Sequence, residues 1–399
     1  MPHVLAQSVE IFTTVLAVAG MGYFLASLVA AIVFMAARRG PLAPFAPGVS
    51  ILKSLKGLDL GMIEAFRSHC AQSYPGEFEL LFGVFTLDDP AVGAVDQLKL
   101  EFPLHSIELV VCPARLGTNG KVSTLAQLVP RARYDFLLIN DSDITVSSKY
   151  LERVMAHFAP APAKSGTSPA PVGLITALYR GRPYRTLASR LETLGIATDF
   201  QPGVLLSKMI EGGLHYGLGS TLAVSRQALN QIGGLESLVD HLADDYELGA
   251  RIGRAGFRIA LSGEVVETAI PAYTWRGFFD HQVRWARTVR DARPWGYAGL
   301  IFTHGLAWAA LNVLASGLSP LSLWLLGLSF FLRLTLAMTV GVQVLRDHNV
   351  LPNLWLLPLR DMVAMGIWIA GFAGNTIVWR GERFVLKDGK LHTSDEPEK

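Results

Sequence analysis

The sequence has little charge and almost no cysteine. Charged residues make up 17% of its 399 residues and hydrophobic residues 51%, and the mean hydropathy is +0.35. A soluble protein of this length has more charge and fewer apolar residues, so membrane segments are expected. The two cysteines, Cys70 and Cys112, lack metal-like spacing, which predicts structural roles in a reducing compartment. The net charge of +2 gives no reason to expect a nucleic-acid partner.

A long uncharged run lies near the N-terminus. Residues 11–36 contain no charge, and about 26 residues are enough to cross a bilayer. The run is too long for the apolar part of a signal peptide, so it predicts a retained transmembrane anchor over residues 1–38. By the positive-inside rule, the basic residues that follow place the next domain, 39–296, in the cytoplasm: Arg38, Arg39, Lys53 and Lys56.

A second apolar region occupies residues 297–380. Three runs are candidate spans: Tyr297–Ser319, Leu321–Val344 and Met362–Trp379, the last preceded by an interfacial stretch over 350–359. Arg333 interrupts the second run, which indicates a functional role, and the alternatives are a snorkel to the lipid surface or a pair with a neighbouring helix. Three spans would place the basic start of the tail, residues 381–399, outside, so one of them is expected to be re-entrant or interfacial.

Residues 39–296 alternate short β-rich runs with helical stretches. Strands are predicted at 49–52, 79–84, 107–111, 136–139, 172–176 and 221–224, and helices at 60–72, 90–101, 146–158, 226–232, 244–255 and 276–291. This alternation predicts an α/β domain with a mostly parallel sheet and helices on both faces. The Pro-, Ala- and Ser-rich segment 159–171 predicts a surface loop.

The fourth predicted strand ends on two carboxylates, Asp141 and Asp143. Alternation along the chain places both on one side, at the carboxyl end of the sheet, where α/β folds bind ligands. Mg²⁺ or Mn²⁺ prefers a few carboxylate oxygens together with phosphate oxygens, so the pair suits a metal-bound nucleotide diphosphate. The alternative is a solvated turn that caps the next helix.

Three further groups of polar residues lie in this domain. Asp88-Asp89-Pro90 follows the second strand, although Asp89 is also in position to cap a helix. Asp244-Asp245 opens a helix, where carboxylates are favoured by the helix dipole. Arg284-Trp285 lies on an arginine-rich helix before the first C-terminal span; such a helix commonly binds anionic lipid headgroups, but arginine also binds diphosphates.

The order of these motifs resembles a known family. A membrane span is followed by 47–57, Asp88-Asp89-Pro90, Asp141-Ser142-Asp143, Asp244-Asp245-Tyr246 and Arg284-Trp285. In this order the chain resembles the ceramide glucosyltransferases, glycosyltransferase family 21, over about residues 47–379. Segments 242–249 and 281–296 resemble in particular the hopanoid-associated bacterial members. His281 departs from the family pattern, which has glutamine or arginine there.

The resemblance implies a GT-A nucleotide-sugar fold in a bacterial inner-membrane protein with a cytoplasmic catalytic domain. It also implies inverting transfer from a UDP-sugar to a hydroxyl of a membrane lipid, either a hopanoid polyol or ceramide, with Mg²⁺ or Mn²⁺ as cofactor. Asp141 and Asp143 would bind the metal and Asp245 would be the general base. Contacts to the UDP-sugar would come from Asp89, Asn119, Lys121, Asp141, Arg284 and Trp285.

Two segments are expected near the sugar and the acceptor. Gly217, Gly219 and Ser220 form a small-residue loop that would let the sugar approach the backbone closely. The amphipathic segment 200–209 is expected to lie against the bilayer near the acceptor entrance. Two other functions stay open: a processive polysaccharide synthase, which would need more spans for a polymer channel, and a membrane-anchored binding protein without turnover.

Overall fold

The computed structural model describes residues 2–38, 40, 43–160, 170–379 and 382–393. The strands are β1 Val49–Ser54, β2 Phe78–Val84, β3 Ser106–Val111, β4 Phe136–Ile139, β5 Val172–Pro183, β6 Leu222–Ser225, β7 Arg258–Ile270, β8 Thr376–Trp379, β9 Glu382–Lys387 and β10 Lys390–Thr393. The predicted loop at 159–171 and the predicted tail at 381–399 lie partly outside the described residues. Arg39 and Arg380 also lie outside them.

Fourteen α-helices occur in the described residues. They are α1 Pro2–Arg38, α2 Met62–Cys70, α3 Ala91–Glu101, α4 Gly120–Leu128, α5 Tyr150–Met155, α6 Leu187–Gly195, α7 Gln201–Ile210, α8 Arg226–Gln231, α9 Asp244–Arg254, α10 Trp275–Ala292, α11 Pro294–Gly299, α12 Gly305–Ala315, α13 Pro320–Ala337 and α14 Leu357–Gly371. Shorter 3₁₀ or π turns include Ile196–Phe200, Leu300–Thr303, Met338–Val344 and His348–Leu356.

Contacts divide the described residues into two compact units. The sheet unit comprises Gly40–Tyr179, Glu211–Ala269 and the end of the chain from Phe384, and the helical unit comprises Met1–Arg39, Arg180–Ile210 and Ile270–Arg383. This division differs from the expected boundaries, because residues 180–210 and 270–296 group with the apolar helices. Both segments are helix-rich: α6 and α7 bury several apolar residues, whereas α10 buries only Phe278.

The sheet unit is built on a seven-stranded sheet in the order β3-β2-β1-β4-β6-β5-β7. β1 pairs in parallel with β2 and β4, and β2 pairs in parallel with β3, whereas β6 is antiparallel to β4 and β5. The predicted α/β class with a mostly parallel sheet is therefore confirmed. β1 is buried on both faces, as a central parallel strand requires, and its burial includes the charged Lys53.

The helices pack on this sheet through one apolar core. Side chains of α4 and α9 meet those of the central strands there, among them Leu52, Val122, Leu125, Ile139 and Leu248. β4 follows β1 in register, with Ile139 opposite Leu52. β1 and β4 end at the same edge of the sheet. Lys53, near the end of β1, and Asn140, just after β4, therefore lie at the edge where the motif that begins at Asp141 also lies.

Three helices of the helical unit are long and apolar enough to span a membrane. They are Val4–Arg38, Pro320–Val344 and His348–Gly371, and a fourth span results if the bent pair Pro294–Thr303 and Gly305–Ala315 counts as one. The pair bends by 57° at the break between its two helices. The prediction of a span at Met362–Trp379 was wrong in its bounds, because the helix begins earlier and Thr376–Trp379 forms β8.

The first span packs closely on α12. A Cβ built on Gly20 would lie 2.2 Å from the Gly305 Cα, so the two backbones touch at these glycines. Asn312 of α12 donates through its Nδ2 to the hydroxyls of Thr13 and Thr14, at 3.0 and 2.7 Å. Small residues and hydrogen bonds of this kind stabilise helix pairs inside membranes.

Candidate active site

Asp141 lies just beyond β4, beside a buried lysine of the neighbouring strand. The Lys53 ammonium donates to the Asp141 carbonyl oxygen at 3.1 Å. Burial lowers the pKa of Lys53 to about 7, while Asp141 and Asp143 act in the opposite direction. This lysine was not predicted as a site residue, because only the strand pairing shows that it is buried below the motif.

The Asp141 carboxylate forms an ion pair with Lys121. Their Oδ1 and Nζ atoms are 2.6 Å apart, and 45% of the Asp141 side chain stays exposed to solvent. Lys121 lies in the first turn of α4, which Asn119 caps by accepting the Val122 N–H at 3.2 Å. Asn119 also donates through its Nδ2 to the His241 carbonyl at 2.7 Å. Both ends of the Asn119 side chain thus hold the turn that carries Lys121.

Lys121 joins the first carboxylate pair to a second. Its Nζ also lies 3.7 Å from Asp244 Oδ2, in the first turn of α9. Burial works against the charged form of Lys121, but Asp141 and Asp244 outweigh it and raise its pKa. Burial also raises the pKa of Asp244. Lys121 is therefore a fixed positive charge between two acidic motifs that lie about 100 residues apart in sequence.

Asp245 turns its carboxylate toward the glycine loop. Its Oδ2 accepts the Gly219 N–H at 2.7 Å and its Oδ1 accepts the Tyr246 N–H at 2.8 Å. Burial and the neighbouring Asp244 raise the pKa of Asp245 to about 6. A carboxylate with such a pKa remains ionised at neutral pH and accepts a proton more readily than an ordinary one.

Gly219 is the point where the two acidic motifs converge. A Cβ built there would lie 3.2 Å from Asp245 Oδ2 and 3.8 Å from Asp141 Oδ2. Gly217 is equally constrained, since its Cβ would lie 2.9 Å from the Asp245 carbonyl oxygen. The structure therefore brings Asp141, Asp245 and the glycine loop together. Any side chain at Gly219 would occupy the space between the two carboxylates.

A buried polar network supports this loop from below. Asn140 donates through its Nδ2 to the Ser220 carbonyl at 2.8 Å and to the Tyr150 hydroxyl at 3.0 Å, and its Oδ1 contacts His69 Nε2 at 3.1 Å. Tyr150 contacts the hydroxyl of Thr221 at 2.9 Å. Ser220, which was expected at the sugar, is 6% exposed and belongs to this support. Sequence reasoning missed the network because its members are distant in sequence.

Asp143 is more enclosed than Asp141. Its Oδ2 accepts a hydrogen bond from the Thr268 hydroxyl, and burial together with Asp141 raises its pKa to about 6. Between the two aspartates, Ser142 donates to the Asp59 carboxylate in the loop after β1. Asp59 was not predicted as a site residue, and no motif in the surrounding sequence identifies it as one.

The carboxylates fit a divalent cation that is shared with a phosphate ligand. No group of three His, Cys, Asp or Glu side chains within the described ranges forms a complete metal cage. Asp141 and Asp143 would supply oxygen ligands, and the 2.6 Å contact with the Lys121 ammonium shows that Asp141 accommodates a positive charge. Mg²⁺ and Mn²⁺ typically take one or two protein carboxylates and complete their coordination with phosphate and water.

Asp89 has a partly structural role in the described fold. Its two carboxylate oxygens accept the Gly57 N–H at 3.0 and 3.1 Å, and Oδ1 accepts the Ala91 N–H at 2.9 Å. The carboxylate thus fixes the loop after β1 and the first turn of α3 at the same edge of the sheet. The sequence-based alternative of Asp89 as N-cap does not hold, because α3 begins at Ala91 with Pro90 at the N-cap position.

Arg284 and Trp285 lie on α10, in the helical unit. Trp285 makes an edge contact with Phe200 at 5.9 Å between ring centroids. Two other arginines of this helix, Arg287 and Arg290, donate to carbonyl oxygens at the end of α14 and just after it, including Gly371 at 2.6 Å. They cap that helix instead of forming a continuous lipid-binding stripe.

The first position of the Arg-Trp motif contacts a buried glutamate. Glu192 is 5% exposed; its Oε1 lies 3.4 Å from His281 Nδ1, and its Oε2 accepts from Gln282 Nε2 at 2.6 Å. His281 also stacks on Tyr273, with centroids 5.4 Å apart. In this chain His281 and Gln282 together hold α10 on α6.

Comparison with known proteins gives consistent results. The family model "Glycosyl transferase family 21" matches residues 12–392. The chain is 24% identical over 371 residues to ceramide glucosyltransferase 1 of Caenorhabditis elegans, covering 89% of this chain and 75% of that protein. It is 24% identical over 355 residues to ceramide glucosyltransferase 3 of the same organism, covering 86% and 73%.

A solved structure shares the fold. The mannosyltransferase PcManGT from Pyrobaculum calidifontis, in complex with GDP-Man and Mn²⁺, aligns with a TM-score of 0.54 at 19% identity. The alignment covers 91% of this chain and 97% of that one. At this identity the likeness concerns the fold alone.

Proposed function

Since this chain belongs to glycosyltransferase family 21, we propose that it transfers a sugar from a UDP-sugar to a hydroxyl of a membrane lipid, with inversion at the anomeric carbon. The observation that carries the proposal is the convergence at Gly219. Asp141, which is half exposed and paired with Lys121, lies on one side, and Asp245, which is buried and has a raised pKa, lies on the other. A donor site and a base on two sides of one small residue are what direct transfer needs.

On the donor side, Asp141 and Asp143 would hold Mg²⁺ or Mn²⁺. The bound cation neutralises negative charge on the departing diphosphate, an effect worth several kcal/mol. Lys121 adds a second positive charge at the same edge of the sheet. Asn119 contributes by holding the turn that carries Lys121, and Asp89 by fixing the loop on the nucleotide side. Arg284 would bind diphosphate oxygens, and Trp285 would pack over the sugar.

On the acceptor side, Asp245 would act as general base. It takes the proton of the acceptor hydroxyl while the oxygen forms a bond to the anomeric carbon. The bond from that carbon to the phosphate oxygen breaks, and UDP leaves with the electron pair. The N–H groups of Gly219 and Tyr246 keep the carboxylate in place during this step. Attack from the face opposite UDP inverts the configuration.

We propose a hopanoid polyol as the acceptor and N-acetylglucosamine as the sugar, on the resemblance of segments 242–249 and 281–296 to hopanoid-associated members. Ceramide with glucose is the second candidate, because the C. elegans relatives carry the name ceramide glucosyltransferase. The helical unit supports a lipid acceptor in both cases. We further propose a bacterial inner-membrane location with the sheet unit in the cytoplasm, from the basic residues that follow α1.

A processive polymer synthase is less well supported. Three helices of the described residues are long enough to span, or four with the bent pair, and a polymer channel needs more. A binding protein without turnover would not need the buried Asp245 with its raised pKa beside the glycine loop.

The test uses the purified full-length chain with UDP-glucose or UDP-N-acetylglucosamine and either ceramide or bacteriohopanetetrol. Lipid products are identified by mass spectrometry, with Mn²⁺ or Mg²⁺ and with EDTA in parallel. We expect a hopanoid N-acetylhexosaminide that forms only with the metal. Hexosylceramide as the sole product would mean that the acceptor is ceramide, with the reaction class unchanged. The absence of any glycolipid product from every donor and acceptor pair would overturn the proposal.

A further inference from the structure

An apolar groove lies between α10 and α14 in the helical unit. Its volume is about 390 Å³, within the range of small-molecule sites. Phe279 and Val283 line it from α10, one turn apart, and Met362, Gly366 and Ala370 line it from α14 at intervals of four residues. Its lining residues are all apolar, so the groove suits hydrocarbon and not a sugar or a nucleotide.

Polar contacts hold the two helices together on either side of this groove. Near the start of α14, Arg360 donates to Gln282 Oε1 at 3.5 Å. Beyond its end, Arg290 donates to the Gly371 and Gly374 carbonyls at 2.6 and 3.0 Å. Between these contacts Gly366 contributes no side chain, and a Cβ built there would meet nothing within 4 Å. The groove is therefore the space left between the two helices by these contacts.

The two walls of the groove differ in their relation to the membrane. α14 belongs to the candidate span His348–Gly371, which is long and apolar enough to cross a membrane. α10 is too polar to span, with six charged residues among eighteen, and it carries Arg284 and Trp285 next to Val283. An occupant with a hydrocarbon body on the α14 side and a polar end at α10 matches both walls.

A buried donor lies beside the same helix contact. Arg360 is 7% exposed, and its Nη1 has no hydrogen-bond partner among the described residues. Its Nε lies 3.1 Å from Asp199 Oδ2, and a Cβ built on Gly195 of α6 would run into its guanidinium. Arg360 therefore faces α6 and does not line the groove, and its contact with Gln282 fixes the position of α14.

We propose that this groove binds the hydrocarbon part of the lipid acceptor and presents its hydroxyl end to α10. The inference rests on the proposed function and specifies where its acceptor lies. It differs from the sequence-based expectation for segment 200–209, since α7 packs against α1 and buries Val204 and Leu205. Bulk phospholipid is the competing occupant.

The experiment fills the groove and leaves the sheet unit untouched. Gly366→Leu places a side chain in the gap, and Gly327→Leu is the matched control, because Gly327 is an exposed glycine of the span α13 with nothing within 4 Å of its Cβ position. Both full-length variants are purified in the same detergent. The Michaelis constants for bacteriohopanetetrol, ceramide and the UDP-sugar are measured, together with the thermal midpoint.

We expect Gly366→Leu to raise the acceptor KM at least tenfold, with the UDP-sugar KM and the midpoint unchanged and with Gly327→Leu like the wild type. A second variant, Met362→Trp, narrows the groove from its exposed rim and should act in the same direction. Unchanged acceptor KM in both groove variants would show that only bulk lipid fills the groove and overturn the inference. A wild type without transfer would instead refute the proposed function.

Discussion

At the residue scale, the proposed reaction depends on the different surroundings of two carboxylates. Asp141 is half exposed and paired with an ammonium, whereas Asp245 is buried and bound by two backbone N–H groups. The first arrangement would suit a carboxylate that binds a cation, and the second would suit one that accepts a proton. The sequence identified both residues, because paired carboxylates at strand and helix ends are visible as motifs.

The Asp245→Asn variant tests the base. The amide keeps the size of the side chain but cannot accept a proton, so transfer should fall by roughly 10²-fold or more. Binding of UDP, measured by isothermal titration calorimetry, should persist, since Asp245 does not contribute to the proposed donor site. Normal turnover would move the base to Asp244 or Glu247.

The pH dependence of transfer follows from the same residue. The pKa of Asp245 is raised from 3.8 to about 6, and the base works only when ionised. Activity should therefore be full well above pH 6 and fall about tenfold per unit as the pH drops below it. Saturating Mn²⁺ keeps Asp143, whose pKa is also about 6, ionised, so the remaining acid limb reports Asp245. An acid limb near pH 4 would contradict the assignment.

Lys53 and Asp59 show what the sequence could not reveal at this scale. A lysine within an apolar strand and an aspartate in a loop carry no motif, and their place at the site follows from strand order and loop path. Buried Cys70 and Cys112, by contrast, behave as predicted. Burial raises their pKa values to about 12 and 11, which keeps both thiols protonated and unreactive.

At the element scale, a buried charge cluster fixes the spans to one another. Arg333 of α13 is 2% exposed and donates to Asp361 of α14 at 2.7 and 2.9 Å, and it also pairs with Asp199. Asp199 in turn lies 3.1 Å from Arg360 Nε. The sequence left pairing and snorkelling open for Arg333, and the structure shows pairing.

Removal of Arg333 should destabilise the chain strongly. Arg333→Leu leaves the buried Asp361 uncompensated, at a cost of about 3–5 kcal/mol. In the double variant with Asp361→Leu, both charges are gone and Arg360 still pairs with Asp199, so much of the loss should be recovered. Thermal unfolding in detergent measures the stability of the single and the double variant. A double variant with the summed losses of its single variants would show that the pair is not the source of the stability.

The contact between α1 and α12 offers a matched pair of glycines. Gly20→Val forces a Cβ into the Gly305 backbone and should lower stability by about 1–3 kcal/mol. Gly22→Val, two residues further on, meets nothing within 4 Å of its Cβ and should leave the thermal midpoint nearly unchanged. Equal midpoints for the two variants would mean that this helix contact is absent in solution.

Element bounds followed from local patterns where those patterns were clear. Predicted strands such as 136–139 and predicted helices such as 244–255 agree with β4 and α9, because apolar runs and turn residues mark them. β7 was missed, since Arg258–Ile270 mixes polar and apolar residues at the edge of the sheet. The last span was predicted too far along the chain, because Thr376–Trp379, which forms β8, is as apolar as the end of a helix.

At the scale of the whole molecule, the sequence predicted a sheet domain between apolar ends but not how the chain is divided. Segments 180–210 and 270–296 belong to the helical unit. They contain Asp199, Glu192, Arg284 and Trp285. No local pattern reveals this grouping, because it depends on long-range packing. The acidic motifs remain on the sheet unit and the Arg-Trp motif on the helical unit.

The proposed reaction is a single direct displacement with Asp245 as base, and it fixes the anomeric configuration of the product. Glycolipid made by the wild-type chain from an α-linked UDP-sugar is purified, and its anomeric proton coupling is measured by NMR spectroscopy. We expect a β-linked product, since the acceptor oxygen would attack opposite UDP. An α-linked product would rule out a single displacement.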